Sequence, residues 1–316
     1  MPAGARVAFP IVDTSDANIE QVVMYVDMVH YGADYYADRL DITVRTGGSV
    51  TNLLGADYGR EFGTAAISNG LITGADTGIE VGGSRASADL SSITVSSPVN
   101  EGLLISGSTG IDFDGLQVDG GRYGVRLGSG ATGKIGLTNV ALDGQTQDGL
   151  VLAKDLTLSV SGAISNAAGA GLRVLDSSSA DWLFDGIALD GNGIGARHDG
   201  SGNLRLVNID LNTNTLDVQL SGSASMDFLE GTVDSSSVTA ADNSKFTRLR
   251  ELDVDITADS VGVADAPVKI LDANNYVIDS GTTDSNGNVP GLEFRVYSID
   301  KSGIDTANIA GYKVVT

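Results

Sequence analysis

The sequence predicts an all-β protein built as a parallel β-helix, and three observations carry that expectation. First, a marker residue (Asp, Asn, Ser or Thr) follows paired apolar positions at Thr73, Ser96, Asp119, Asp143, Asn166, Asp190, Asn212, Asp234 and Asp255, at intervals of 21 to 24 residues. A repeat of this length belongs to solenoids, whose single turns cannot bury their apolar faces alone. Second, each marker ends a pattern of two period-2 apolar pairs separated by two residues, as in Ile111-x-Phe113-x-x-Leu116-x-Val118-Asp119 and Leu204-x-Leu206-x-x-Ile209-x-Leu211-Asn212. Such pairs describe two short strands meeting at a bend. Third, a further strand lies between markers and opens on glycine, as in Gly124-Val125-Arg126-Leu127 and Gly149-Leu150-Val151-Leu152. Each coil of about 23 residues therefore holds three strands.

Residues 1–62 read as an N-terminal cap with entry strands. Ile19, Val22, Val23, Val26 and Val29 recur at helical spacing after Asp13-Thr14-Ser15-Asp16, which predicts an amphipathic helix, although β-branched side chains also suit a strand. Five tyrosines fall here (Tyr25, Tyr31, Tyr35, Tyr36 and Tyr58), and packing at the edge of the core is their expected role. Residues 63–256 form the coils, with Phe113, Trp182, Phe184 and Phe228 pointing inward. After Asp255 the repeat stops. Alternating residues around Asn274-Asn275, a second turn at Asn286-Gly287 and the run Leu292–Tyr297 predict antiparallel strands over 257–316. Asp284, Asn286 and Asn288 alternate as calcium ligands do, but without the closing Glu of an EF-hand they read as a hairpin turn.

Coil length, three-strand layout and the Asn/Asp marker resemble the right-handed parallel β-helix of pectate-lyase-like and NosD-like proteins, with about eight coils. No catalytic motif of those families accompanies the likeness. The C-terminal segment resembles an Ig-like or carboxypeptidase-regulatory-like β-sandwich module, incomplete at about 60 residues, of the kind attached to microbial surface proteins.

The 41 acidic against 19 basic residues give a net charge of −22, which repels phosphate backbones and anionic lipid. Nucleic-acid partners are excluded on that ground. No apolar window is long enough for a membrane span. With no cysteine there is no disulfide, thiolate metal site or cysteine nucleophile. The first residues show no signal peptide, which leaves a cytosolic chain or a piece of a longer exported protein, and the likeness of the C-terminal segment to a surface module makes the second, at the cell surface or outside the cell, the expectation.

Three sets of residues can carry chemistry. The markers Asp119, Asp143, Asn166, Asp190, Asn212, Asp234 and Asp255 should stack as a turn ladder, because Asn and Asp tolerate left-handed corners and bond neighbouring backbone. Adjacent carboxylates about 4.8 Å apart repel by roughly 3 kcal/mol at an effective dielectric near 20. Asp119/Asp143 and Asp234/Asp255 are thus candidates to hold Ca²⁺, the only ion the reading admits; no cofactor is required. A second column on the glycine-led strands runs Glu80, Leu104, Arg126, Val151, Arg173, Arg197 and Asp217, in which Arg126, Arg173 and Arg197 are candidate substrate-binding residues and Arg197 is expected to pair with Asp217. His198, inward beside Ala196, reads as a core residue.

The leading expectation is a noncatalytic surface scaffold or adhesin module whose partners are surface polysaccharide or other surface-protein modules. The alternative is a polysaccharide lyase, hydrolase or binding protein acting on an acidic polysaccharide along the arginine face.

Overall fold

In the computed structural model the described residues are 22–31, 34–42, 65–68, 71–81, 88–107, 111–131, 133–153, 157–175, 182–306 and 311–316. They form a parallel β-solenoid of about seven turns, followed by antiparallel sheets.

Three faces wrap one core. The first carries Ala65–Ser68, Ala88–Ser91, Ile111–Asp114, the front halves of Lys134–Asp143 and Thr157–Ser165, then Trp182–Asp185, Ser201–Val207, Ser223–Leu229 and Lys245–Asp255. On the second face stack Leu71–Thr73, Thr94–Ser96, Gln117–Asp119, the rear halves of those two long strands, Ile187–Asp190 and Leu211–Asn212. The third is a single eight-stranded sheet from Ile79–Val81 to Val238–Ala240. Inward residues along all three faces, among them Val95, Leu103, Ile105, Ile111, Phe113, Leu127 and Ile135, form one continuous cluster almost sealed from solvent. Phe113, Phe184 and Phe228 lie in it as their spacing predicts. Of Trp182 the backbone alone is described.

The corner between the second and third faces explains the repeat. The residue after each marker is left-handed at Gly74, Ser97, Gly120, Gly144, Asn166, Gly191 and Thr213, with φ between +51° and +78°. Glycine suits that conformation, and Asn is the non-glycine residue that accepts it most readily. Its N–H donates to the marker carbonyl of the following rung, as Gly120 does to Asp143 at 2.8 Å and Asn166 to Asp190 at 3.1 Å. Asn166 is therefore a corner residue, and Ser165 takes the ladder position between Asp143 and Asp190. Spacing alone placed Asn166 there because two adjacent polar residues compete for one slot.

Residues 22–31, expected to be helical, are a strand. Val22–Tyr31 pairs antiparallel with Asp34–Ile42, which gives its β-branched valines the extended backbone they favour and a ladder partner, interrupted by one irregularity between Tyr25 and Met28. Tyr25, Tyr31, Tyr35 and Tyr36 lie on this hairpin; Tyr58 lies outside the described residues.

The C-terminal strands fold as the turns predict. Asp272 accepts the N–H groups of Asn274 and Tyr276, and left-handed Asn275 closes the hairpin Pro267–Leu271/Val277–Thr282. Asp284 accepts from the N–H groups of Asn286 and Asn288, so that triplet forms a turn. Lys313–Val315 completes a three-stranded sheet. Strand Lys245–Asp255 has a dual role: one edge pairs parallel with Ser223–Leu229, the other antiparallel with Asn288–Asp300. Val268, Ile270, Val289 and Leu292 make a second, smaller core beyond it.

Where the solenoid stops, a rung that would have donated N–H groups is missing. Arg248 replaces it. In the inward slot held by Phe184, Leu206 and Phe228 on earlier rungs, its buried guanidinium donates to the carbonyls of Phe228, Glu230 and Gly231 and lies 4.9 Å over the Phe228 ring. Burial, with Arg250 nearby, lowers its pKa from the usual arginine value.

Candidate functional site

The third face does align the predicted arginines. Register runs from Glu80 to Leu104, Arg126, Val151, Arg173 and Arg197, so Arg173 and Arg197 are neighbours while Arg126 stands two rungs from Arg173. The last member is Gln219, not Asp217. Ala196 faces Val218, which puts Arg197 opposite Gln219 and leaves Asp217 beside Gly195, two residues further back along the strand.

The expected Arg197–Asp217 pair is accordingly absent, and other carboxylates take up the charge. Asp199 accepts Arg173 Nε at 3.0 Å, Arg197 Nε at 2.8 Å and the Ser221 hydroxyl at 3.2 Å. Arg173 also reaches Asp148 at 3.1 Å, while the other oxygen of Asp148 accepts the Ala170 N–H at 2.8 Å. Two guanidiniums and two carboxylates thus form one neutral network, partly shielded from water. Burial alone would raise the Asp199 carboxyl, but Arg197 and Arg173 outweigh it and hold the group below the usual carboxylate range. Likewise burial opposes the charge of Arg173, and Asp148 and Asp199 outweigh burial to raise its pKa.

A consequence for stability follows. Because the folded carboxyl of Asp199 titrates lower than the unfolded one, its contribution is complete above about pH 4 and is lost as pH falls through the folded value. Asp199→Asn should lower unfolding free energy by about 1–3 kcal/mol at pH 7, with the gap to the parent narrowing below pH 4. Urea titrations at pH 7 and pH 3 measure both; equal stability at pH 7 would remove Asp199 as the hub.

Arg126 differs. Its Nη1 lies 3.2 Å from Glu101, whose other oxygen accepts from the Thr77 hydroxyl at 3.0 Å, yet nearly half of the arginine side chain is exposed. It lies 5.5 Å from the centroid of the Tyr123 ring, and exposed Arg122 lies 5.3 Å from the same ring. Among the described residues no carboxylate stands within ion-pair distance of Arg122.

On the second face Asp119 and Asp143 occupy adjacent rungs in register, as predicted. Asp143 accepts the Ser165 hydroxyl at 2.6 Å and the Asn166 amide at 2.7 Å, which together hold its carboxyl below the usual range. The next rung's donors therefore keep it ionised despite Asp119. Asp190 and Asn212 continue the column. Asp234 follows without a strand: it is the N-cap of a short 3₁₀ turn, Ser235–Ser237, accepting the N–H and hydroxyl of Ser236, which hold its carboxyl low. Asp255 does not join the ladder. It ends Lys245–Asp255 opposite Asn288, because that strand has left the coil for the antiparallel sheet, so Asp234 and Asp255 are not a pair. Among the described residues no three His, Cys, Asp or Glu side chains are grouped to hold a metal ion.

The interior side of this corner carries polar residues that the markers obscured. Gln145, Asn192 and Asn214 each lie two residues beyond a marker. Gln145 donates to the carbonyls of Val118, Gly120 and Asp143, Asn192 donates to Ile164 and accepts from Ala167, and Asn214 donates to Leu189. Their signal in the sequence is a recurring amide at marker plus two. For Arg248 the signal is a charge in an apolar slot. His198 is buried, as its inward slot predicts.

Comparison with protein-family models, with curated proteins and with solved structures finds no match to this chain.

Proposed function

We propose that this protein is a noncatalytic scaffold or adhesin module of an exported surface protein: a stiff acidic rod, of the pectate-lyase-like or NosD-like kind, continued by an Ig-like or carboxypeptidase-regulatory-like sheet module. The observation that carries this reading is the neutral Asp148–Arg173–Asp199–Arg197 network. Two of the three arginines that a substrate would need are satisfied by the rod's own carboxylates, and a ligand anion would have to displace them at a desolvation cost. A continuous core beneath makes the rod suited to spacing and display, with surface polysaccharide or neighbouring protein modules as partners.

Binding of an acidic polysaccharide is the second reading, favoured only by the exposed Arg122/Tyr123/Arg126 group. Calcium would enter at Asp119/Asp143, as a bridge between carboxylates of sugar and protein.

Both readings meet in one experiment. The protein is passed over alginate, pectate and neutral glycan gels with and without Ca²⁺, and the absorbance of unsaturated sugar products is followed. A scaffold gives no such absorbance. Cleavage that disappears in Arg173→Ala/Arg197→Ala would overturn the scaffold reading. Salt-sensitive retention lost in Arg122→Ala/Arg126→Ala would favour the second.

A further inference from the structure

Six glycines stack at the entrance to the third face. A Cβ on Gly78, Gly102, Gly124, Gly149, Gly171 or Gly195 would lie 2.5 to 3.0 Å from the carbonyl oxygen of the next residue in the column, and the last of those carbonyls belongs to Asp217. At the seventh place, then, a carboxylate stands where every earlier rung needs the absence of a side chain. It fits because the rung below is different: Leu216–Leu220 is followed by a 3₁₀ turn and the three-residue strand Val238–Ala240.

Asp217 is only 5% exposed. Its carboxylate accepts the Asp234 N–H at 2.8 Å and a bond from the Asn214 side chain, and its own N–H donates to the Ser237 hydroxyl at 2.9 Å. Asp217 thereby ties its own rung to the turn that follows, through its side chain to Asp234 and through its backbone to Ser237, while its side chain also holds Asn214. The charged groups facing it do not favour ionisation. Asp234, from the following turn, is held ionised by Ser236; Tyr297, from the closing strand, senses Asp217 and Asp234, while Arg248 and Arg250 act on that tyrosine. Burial first, then the charge of Asp234, raise the Asp217 carboxyl above the usual range, against the Asp234 N–H and Asn214.

We infer that Asp217 is an acid-responsive latch, whose uptake of a proton binds the final rung of the solenoid more tightly to the rung before it. The sign is opposite to that of Asp199. The folded chain keeps this proton at a pH where the unfolded chain has lost it, so stability is gained as pH falls from the raised value towards about 3.9.

Hydrogen exchange of the whole chain tests the latch, with protection compared between residues 216–220 and the earlier rung 123–127 at pH 7 and pH 5. In the parent, protection of 216–220 should rise relative to 123–127 on acidification, by up to about tenfold for each unit by which the carboxyl is displaced. Asp217→Asn, which imitates the protonated form, should show high protection already at pH 7 and no relative rise. Parallel behaviour of parent and variant would overturn the inference. Should that variant not fold, the carboxyl carbon of Asp217 is titrated by NMR in the parent: a midpoint above that of ordinary Asp supports the latch, and one at or below it overturns it. Asp234→Asn should lower that midpoint, and an unchanged one counts against the role given to Asp234.

Discussion

Replacing Arg248 by methionine should lower the unfolding free energy by about 3 kcal/mol and make the protein prone to associate through its C-terminal rung. Methionine has similar bulk and would fill the slot below Phe228, so the loss is not a cavity effect. It comes from the carbonyls of Glu230 and Gly231, which have no following rung and would lose the guanidinium that serves them. An unsatisfied buried acceptor costs about 1–3 kcal/mol, partly offset because the buried charge itself is removed. Arg248→Lys should fall between, since one ammonium keeps the charge but cannot span carbonyls at the fork's spacing. Urea unfolding measures the difference and sedimentation the association. A methionine variant as stable as the parent would mean that water serves those carbonyls equally well.

Gly149→Ala should cost far more than the addition of a single methyl group usually does. The new carbon would sit 2.1 Å from Ile164 Cγ2 and 2.8 Å from the Gly171 carbonyl, between two rungs with no solvent to yield into. Either Ile164 leaves its rotamer or the third face spreads, and overpacking of this kind costs about 2–4 kcal/mol. Gly144→Ala is the control. Its φ is +71° but nothing lies within 4 Å of the added carbon, so it carries only the left-handed strain of about 1–2 kcal/mol. Thermal melts of the pair separate crowding from backbone strain; equal losses would show that crowding adds nothing at Gly149.

The coils were legible because burial writes itself into alternation: the inward slots of Phe113, Val118 and Leu127 are apolar on nearly every rung, Arg248 and His198 being exceptions, and the strand class follows. The corner was legible only to within a residue, since Asn166 and Ser165 are both polar and only backbone conformation separates them. The arginine column was read correctly as far as Arg197 and missed Gln219, because one short turn before Leu216 shifts the count by two. Partners were harder still. Asp199 lies two residues from Arg197 and a full rung from Arg173, and nothing in a linear pattern says that one carboxylate meets both. The N-terminal valines were ambiguous for a physical reason: spacing suited a helix and branching suited a strand, and the pairing with Asp34–Ile42 decided it.

Strand Lys245–Asp255, shared between rod and tail sheet, fixes how tension would pass through the molecule. A pull on the tail along that strand loads its antiparallel hydrogen bonds with Asn288–Asp300 lengthwise and together, so they resist as a set instead of unzipping singly. Its parallel bonds to Ser223–Leu229 then hand the load to the stack. Arg205 and Glu293, 88 residues apart in the chain, pin the same junction across its outer side. The rod and its tail are thereby joined by a weld, and force reaching one end has no hinge there in which to be lost.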